Sequence, residues 1–115
     1  MNIQEKYNIS ILGTPYKVFF RSVNDDVLLN SADGYMDKSV KHIVIADKAH
    51  DCELKDFEAY QKAVLRHEII HAFFEESGLS TCVENKSYGV METYVDWFAI
   101  QAPKIYAVFK QLNII

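Results

Sequence analysis

The sequence predicts an α+β fold, in which a small, mostly antiparallel N-terminal sheet packs on one long helix and on further C-terminal helices. Three observations lead to this prediction. The first 47 residues hold three short runs rich in β-branched and aromatic residues. A longer segment follows in which apolar residues recur at steps of three and four, and a second segment with helical spacing comes after a polar loop. A chain of 115 residues has room for one domain, which we take to span residues 1–115.

The β-rich runs predict three strands. Residues 8–12 and 16–23 flank Gly13-Thr14-Pro15, a spacing typical of a hairpin. Residues 24–39 are polar, with Asp25-Asp26 and Asp33-Gly34, and are predicted to form a loop, with a short turn of helix around Val27-Leu28-Leu29 as an alternative within it. Residues 42–47, with the sequence HIVIAD, are predicted to complete the sheet.

The rest of the chain predicts three helices, with glycine and proline at their boundaries. The first is expected to end before Gly78 and the second at Pro103, since glycine often follows a helix and proline lacks the N–H that continues one. The predicted helices are residues 54–77, 89–102 and 104–112, with a loop at residues 79–88.

Composition narrows the classes of function. Half of the residues are apolar, with seven phenylalanines and seven tyrosines, which is enough for a packed core. A net charge of −4 with scattered lysines argues against a nucleic-acid surface. No apolar run approaches 18 residues, so no membrane span is expected, and the N-terminus lacks a signal pattern. Cys52 and Cys82 show no C-x-x-C spacing, which favours free thiols and a cytoplasmic protein.

The first long helix carries His67-Glu68-Ile69-Ile70-His71, an H-E-x-x-H motif. Residues four apart share a helix face, so both imidazoles can reach one zinc ion at about 2.0–2.1 Å. Glu68 points about 100° away from His67, where its carboxylate can take a proton from water at the metal. Two hydrogen-bonded core histidines are the alternative. The metal is favoured because the glutamate stands at the position that the chemistry needs.

A catalytic zinc ion needs a third protein ligand. Glu92 is the favoured candidate, and Asp96 follows it by one helical turn. Asp96 could then accept the free N–H of a ligating histidine, which fixes the ring and raises its basicity. Glu75 and Glu76 are the competing donors, and their ordinary role is surface charge near the helix end.

The two segments together resemble a known group of enzymes. Residues 66–79, RHEIIHAFFEESGL, and residues 92–101, ETYVDWFAIQ, are similar to small phage and prophage zinc metallopeptidases of the gluzincin type. These are relatives of the minigluzincins and, more distantly, of ImmA/IrrE-type peptidases, and the resemblance covers about residues 35–105. It implies a zincin-like fold that hydrolyses peptide bonds with one Zn²⁺. In that scheme the zinc ligands are His67, His71 and Glu92, Glu68 is the general base and acid, and Asp96 supports a ligating histidine.

The resemblance also implies how substrate binds. In such enzymes an edge strand beside the zinc pairs with an extended peptide. The predicted strand just before the metal-binding helix assigns this role to the backbones of Ile43, Val44 and Ile45. The sequence leaves four candidates open for a second oxyanion donor: Tyr88, Tyr94, Tyr35 and His42.

The expected function is therefore a zinc metallopeptidase acting on a peptide or protein, as a monomer or small homo-oligomer. The alternative is a non-catalytic peptide-binding module stabilised by zinc, with a closed shell of four ligands. His50, Glu75 or Cys82 would then complete the shell. The apolar tail at residues 112–115 is expected to cap the core, or to lie in the cleft and hold the enzyme latent.

Overall fold

The computed structural model of the protein describes residues 4–47, 55–82 and 88–115, and it describes side chains for residues 7–47, 55–82 and 91–115. Within these ranges the chain forms a four-stranded sheet and three α-helices, which confirms the predicted α+β class. The elements are β1 (Gln4–Ile11), β2 (Thr14–Arg21), β3 (Gly34–Asp37), β4 (His42–Ala46), α1 (Phe57–Glu76), α2 (Leu79–Cys82) and α3 (Tyr88–Gln111), with a 3-10 turn at Val27–Asn30.

The sheet is mixed, with strand order β1-β2-β4-β3. The pairs β1/β2 and β3/β4 are antiparallel, and β2/β4 is parallel. The predicted hairpin is present, and its turn consists of Leu12 and Gly13, both at positive φ (49° and 89°). Two consecutive residues at positive φ match the twist of the flanking strands. Thr14 and Pro15 therefore already belong to β2.

The prediction of a loop at residues 24–39 is wrong at β3, which pairs with β4 along its whole length. Glycine and aspartate occupy two of the four positions of β3, and both residue types are poor strand formers. Pairing with the apolar β4 outweighs this weak local preference. The prediction that Ile43, Val44 and Ile45 lie on an edge strand is also wrong. They lie between β2 and β3 and are at most 1% exposed.

Each face of the sheet carries its own apolar cluster, because side chains alternate along a strand. One cluster faces α1 and contains Val18, Ile43, Ile45 and Ala72, with Met36, Val64, Leu65 and Ile69 packed against it. The other lies on the opposite face and contains Phe19, Leu29, Val44 and Ala46, with Val23 and Tyr35 packed against it. Leu29, the buried residue of the 3-10 turn, packs over the second cluster.

The C-terminal end of α1 is fastened to the sheet by Glu76. Its carboxylate accepts hydrogen bonds from Thr14 Oγ1 (2.7 Å), Tyr16 Oη (2.6 Å) and Lys41 Nζ (2.8 Å). The hydrogen bond from Lys41, followed by those from Tyr16 and Thr14, lowers the pKa of Glu76 to about 2. These contacts hold α1 in place along its own axis relative to the sheet. They thereby help to determine where the two histidines of α1 lie relative to the strands.

The C-terminal boundary of α1 agrees with the predicted signal, whereas its N-terminal boundary was not predicted. Asp56 caps the N-terminus by accepting a hydrogen bond from the Ala59 N–H at 3.0 Å. Gly78, at φ 83°, follows the helix end. The predicted start at residue 54 is too early, because Lys55 and Asp56 are not helical and the cap at Asp56 makes Phe57 the first helical residue. The four-residue helix α2 falls where the sequence predicted only a loop, and its last two N–H groups bond to the carbonyl of Gly78.

The predicted break at Pro103 is absent, because α3 continues through it to Gln111. An interior proline removes one backbone hydrogen bond, here the one to the carbonyl of Ala99. The helix continues on both sides of Pro103, so the remaining backbone hydrogen bonds hold the helical conformation across that gap. After Gln101 every residue, from 102 to 115, is exposed. Within the described chain, no helix combines the length and apolar character needed to cross a bilayer.

The expectation that the C-terminal tail caps the core, or fills the cleft, is wrong. Leu112, Ile114 and Ile115 are 64%, 66% and 68% exposed, so they cover no apolar surface. They also do not line the cleft beside the two histidines of α1. The tail therefore neither stabilises the core nor blocks access to that cleft.

Candidate metal centre

His67, His71 and Glu92 converge at the crossing of α1 and α3. The Nε2 atom of His67 lies 3.0 Å from Glu92 Oε2, and the Nε2 atom of His71 lies 2.7 Å from Glu92 Oε1. One donor atom from each residue lies within 4.8 Å of the other two. This group could hold a metal ion. Imidazole nitrogen with carboxylate oxygen suits zinc, and it also suits iron or manganese.

Small buried residues on α3 let the two helices approach closely at this point. Val95 is fully buried, and Ala99 is 8% exposed. Glu92 precedes Val95 by three residues and therefore faces α1 as well. The rings of Phe74 on α1 and Phe98 on α3 pack edge to face, with their centroids 5.8 Å apart, and this pair extends the contact between the two helices.

Asp96 supports His67 from one turn further along α3. Its Oδ1 atom lies 2.8 Å from Nδ1 of His67, a distance that suits a hydrogen bond donated by the ring. A ring held in this way carries its proton on Nδ1 and presents the lone pair of Nε2 towards Glu92 and His71. A carboxylate behind a ligating histidine is the usual second-layer partner in metal sites.

Glu68 is buried, at 8% exposure, and lines the same cleft as the three candidate ligands. Burial raises the pKa of Glu68 to about 7, with the charge of His67 opposing the shift and that of Glu92 adding to it. Burial also lowers the pKa of His71, against the attraction of Glu92. A lowered histidine pKa favours the neutral imidazole, which is the form that binds metal.

The opposite wall of the cleft is β3, which the sequence did not predict. The cleft has a volume of about 300 Å³ and is lined by Ala32, Gly34, Tyr35, Met36, His67, Glu68, His71 and Glu92. A Cβ atom on Gly34 would lie 2.8 Å from Val64 Cγ1 and 3.0 Å from Ile45 Cδ1. Glycine therefore lets β3 approach α1 beside the histidines. The pair Tyr35-Met36, followed by a short polar segment and the apolar β4, was the weak signal for this hairpin.

The sheet of the described chain has two edge strands, β1 and β3, and β3 is the one that borders the cleft. The N–H of Ala46 donates a hydrogen bond to the carbonyl of Asp33 at 2.9 Å, so Asp33 and Ala46 form a hydrogen-bonded pair next to the β3/β4 ladder. Since bonded positions alternate in an antiparallel pair, Tyr35 bonds to β4, whereas Gly34 and Met36 point their backbone groups outwards. These groups border the cleft.

Three of the predicted oxyanion donors do not reach the site. The hydroxyl of Tyr35 donates to Asp26 on the opposite face of the sheet, where burial raises its pKa to about 12. The ring of His42 packs against Phe19 on that same face, with the centroids 4.8 Å apart. Tyr94 is 48% exposed and follows Glu92 by two residues, about 200° round the helix. These three predictions are wrong, and the side chain of Tyr88 lies outside the described residues.

Of the residues proposed to close a four-ligand shell, neither Glu75 nor Cys82 joins the group. Cys82 is an exposed free thiol. His50, like Cys52, falls in a part of the chain that the structure does not describe. The competing donor Glu76 is held by the hairpin and Lys41. Within the described residues the group thus has three members.

Comparisons with models of known protein families, with curated proteins and with solved structures found no significant match to this chain.

Proposed function

We propose that this chain is a zinc-dependent metallopeptidase of the gluzincin type. The observation that carries the proposal is that buried Glu68 lines the same cleft as the convergent His67, His71 and Glu92. A site that holds metal for stability alone has no need of a buried carboxylate beside the ligands. Three protein donors also leave a divalent ion with a position for water, as catalytic zinc sites do.

When bound, zinc supplies Lewis acidity, which lowers the pKa of water and polarises a carbonyl group. Glu68 accepts a proton from the attacking water and delivers it to the departing amine. A carboxyl group with a pKa near neutrality suits both steps, because it can take and release a proton at the same pH. Asp96 holds the ring of His67 so that Nε2 stays directed at the ligand position.

An extended peptide would bind along β3. The outward N–H and C=O groups of Gly34 and Met36 can pair with a substrate backbone without demanding particular side chains. This replaces the role first assigned to β4. A neighbouring pocket of about 460 Å³ shares His67 and Glu68 with the cleft, and Val64, Ala99 and Ile100 contribute to its walls. It would receive an apolar side chain of the substrate next to the bond that is cleaved.

The variant Glu68→Gln tests the proposal, with Glu58→Gln as the matched control. Glu58 lies on the same helix, is exposed, and pairs with Lys62. The zinc-loaded proteins would be assayed on a mixture of unstructured peptides by mass spectrometry, together with metal analysis. We expect Glu68→Gln to retain zinc and to lose hydrolysis by at least about a hundredfold, the lower end of the range for a general base.

Glu58→Gln should behave like the parent protein in both measurements. Equal hydrolysis by the parent and Glu68→Gln would remove Glu68 as the base. A zinc-loaded parent that binds peptides without cleaving any would identify the non-catalytic peptide-binding module instead.

A further inference from the structure

The outer side of α3 carries a regular stripe that the described chain leaves largely exposed. We call it the outer stripe; its residues are Tyr94, Phe98, Gln101, Ile105, Val108 and Leu112. Their spacing alternates strictly between four and three residues over about five turns, with Leu112 directly after the last helical residue. Such a 3.5-residue repeat is typical of the seam between two coiled helices.

The stripe is exposed along most of its length. Tyr94, Val108 and Leu112 are 48%, 52% and 64% exposed, and Phe98 and Ile105 are 44% and 36% exposed. Only Phe98 has a ring contact with α1, through Phe74. The half of α3 after Ala102 thus packs on nothing in the described chain. A helical segment of about ten residues is marginal alone in water, and Pro103 weakens it further.

The area available is sufficient for a specific interface. Whole aromatic side chains bury about 150–250 Å², and four of them, Tyr94, Trp97, Phe98 and Phe109, are 41–53% exposed on or beside the stripe. With Ile105, Val108 and Leu112, each copy offers roughly 500 Å² of apolar surface. A pair would then bury about 1,000 Å², which is where specific interfaces begin.

We propose that the outer stripe of α3 pairs with the same stripe of a second copy of this chain, forming a two-fold dimer through a short coiled coil. A self-complementary seam satisfies the symmetry that a two-fold interface requires. Gln101 is the one polar residue of the stripe, and a polar residue at a seam position selects register and partner number at some cost in stability.

The dimer leaves the metal centre open. The side of α3 that carries the stripe lies roughly opposite the side from which Glu92 faces α1, since Tyr94 and Phe98 are about 200° and 240° round the helix from it. A lipid surface is the rival partner for an apolar helix. Trp97, Ile100, Tyr106 and Phe109 extend the apolar face beyond the stripe, and the charged residues after Ala102 are Lys104 and Lys110, so charge does not separate the two partners. The seam spacing and the area that two copies would bury favour the second copy. The vesicle measurement below tests the lipid surface.

The test compares the full chain with Ile105→Glu in the stripe and Ala107→Glu off it. Both positions are exposed in the half of α3 after Ala102, about 200° apart round the helix. Sedimentation equilibrium gives the dissociation constant. Trp97, the only tryptophan, is 53% exposed beside the stripe, so its emission should shift to the blue as dimer forms.

We expect the parent and Ala107→Glu to dimerise with the same dissociation constant and the same fluorescence shift. Ile105→Glu should weaken the dimer by at least tenfold, because it places an unpaired carboxylate in the seam. Gln101→Leu should tighten it by at least threefold, which tests the stripe even if the glutamate variant fails to fold.

Three results would overturn the proposal. One is a parent protein that stays monomeric up to several hundred micromolar. Another is a dimer that is equally tight in Ile105→Glu and Ala107→Glu. The third is a monomeric parent whose Trp97 emission shifts only on vesicles of phosphatidylcholine and phosphatidylserine, which would assign the stripe to a lipid surface.

Discussion

Oδ1 of Asp96 lies 2.8 Å from Nδ1 of His67, although 29 residues separate them in the sequence. The side chain of Asp96 is 62% exposed, whereas that of His67 is only 21% exposed. An exposed carboxylate thus controls which nitrogen of a half-buried ring faces Glu92. The contact joins α1 to α3 at the point where the candidate ligands meet.

The first prediction concerns this contact. Asp96→Ala should lower zinc affinity by about 10–100-fold, because a ligating histidine without its second-layer partner is less basic and less well oriented. Titration of the metal against a competing chelator measures this. Glu58→Ala, which also removes an exposed helical carboxylate, serves as the control. Equal affinities for the two variants would show that Asp96 does not support the site.

A second prediction concerns the close approach of β3 to α1. Gly34→Ala should destabilise the fold by about 1–3 kcal/mol, because the added Cβ meets the stiff side chain of Val64 at 2.8 Å. Urea denaturation measures the change. In the double variant with Val64→Ala, the penalty of the Gly34 substitution should shrink, since the clashing methyl group is gone. A penalty that is independent of Val64 would place its origin elsewhere.

The third prediction concerns acid stability. The folded-state pKa of Glu76 is about 2, below its ordinary value of 4.5, so its ionised form stabilises the fold. That stabilisation is complete above about pH 5 and is lost as the pH falls through 4.5 towards 2. Glu76→Gln should therefore be less stable than the parent at pH 7, and the difference should narrow steadily in that acid window.

Thermal unfolding of both metal-free proteins across the pH series measures this difference. Other carboxylates titrate in both proteins, so the comparison isolates Glu76. A stability difference that stays constant from pH 7 to pH 2 would contradict the proposed role of the Lys41, Tyr16 and Thr14 contacts.

A fourth prediction concerns the tail. Deletion of residues 113–115 should leave peptidase activity and zinc affinity unchanged, because Ile114 and Ile115 are about two-thirds exposed and outside the cleft. Activity on the unstructured peptide mixture measures this. An increase in activity after the deletion would revive the latent-enzyme hypothesis.

Much of the candidate site could be predicted from local spacing. His67, Glu68 and His71 follow one another on a single helix, so the helical period alone sets their relative directions. Glu92 and Asp96 are related in the same way on α3. Local spacing does not predict that the α1 residues and the α3 residues meet; that prediction came from taking both segments together and from their resemblance to gluzincins. In the structure Glu92 and Asp96 lie within hydrogen-bond distance of His67.

The sequence by itself determined the fold class, the presence of the first hairpin, the end of α1 before Gly78 and the common face of the two histidines. These depend on backbone preferences and periodicity within a few residues. Only the tertiary structure decided that Gly34–Asp37 is a strand, that β4 is interior, that α3 continues through Pro103, and that Tyr35 and His42 face away from the cleft. Each of these depends on what a distant segment packs against, because pairing and burial between remote segments outweigh weak local preferences.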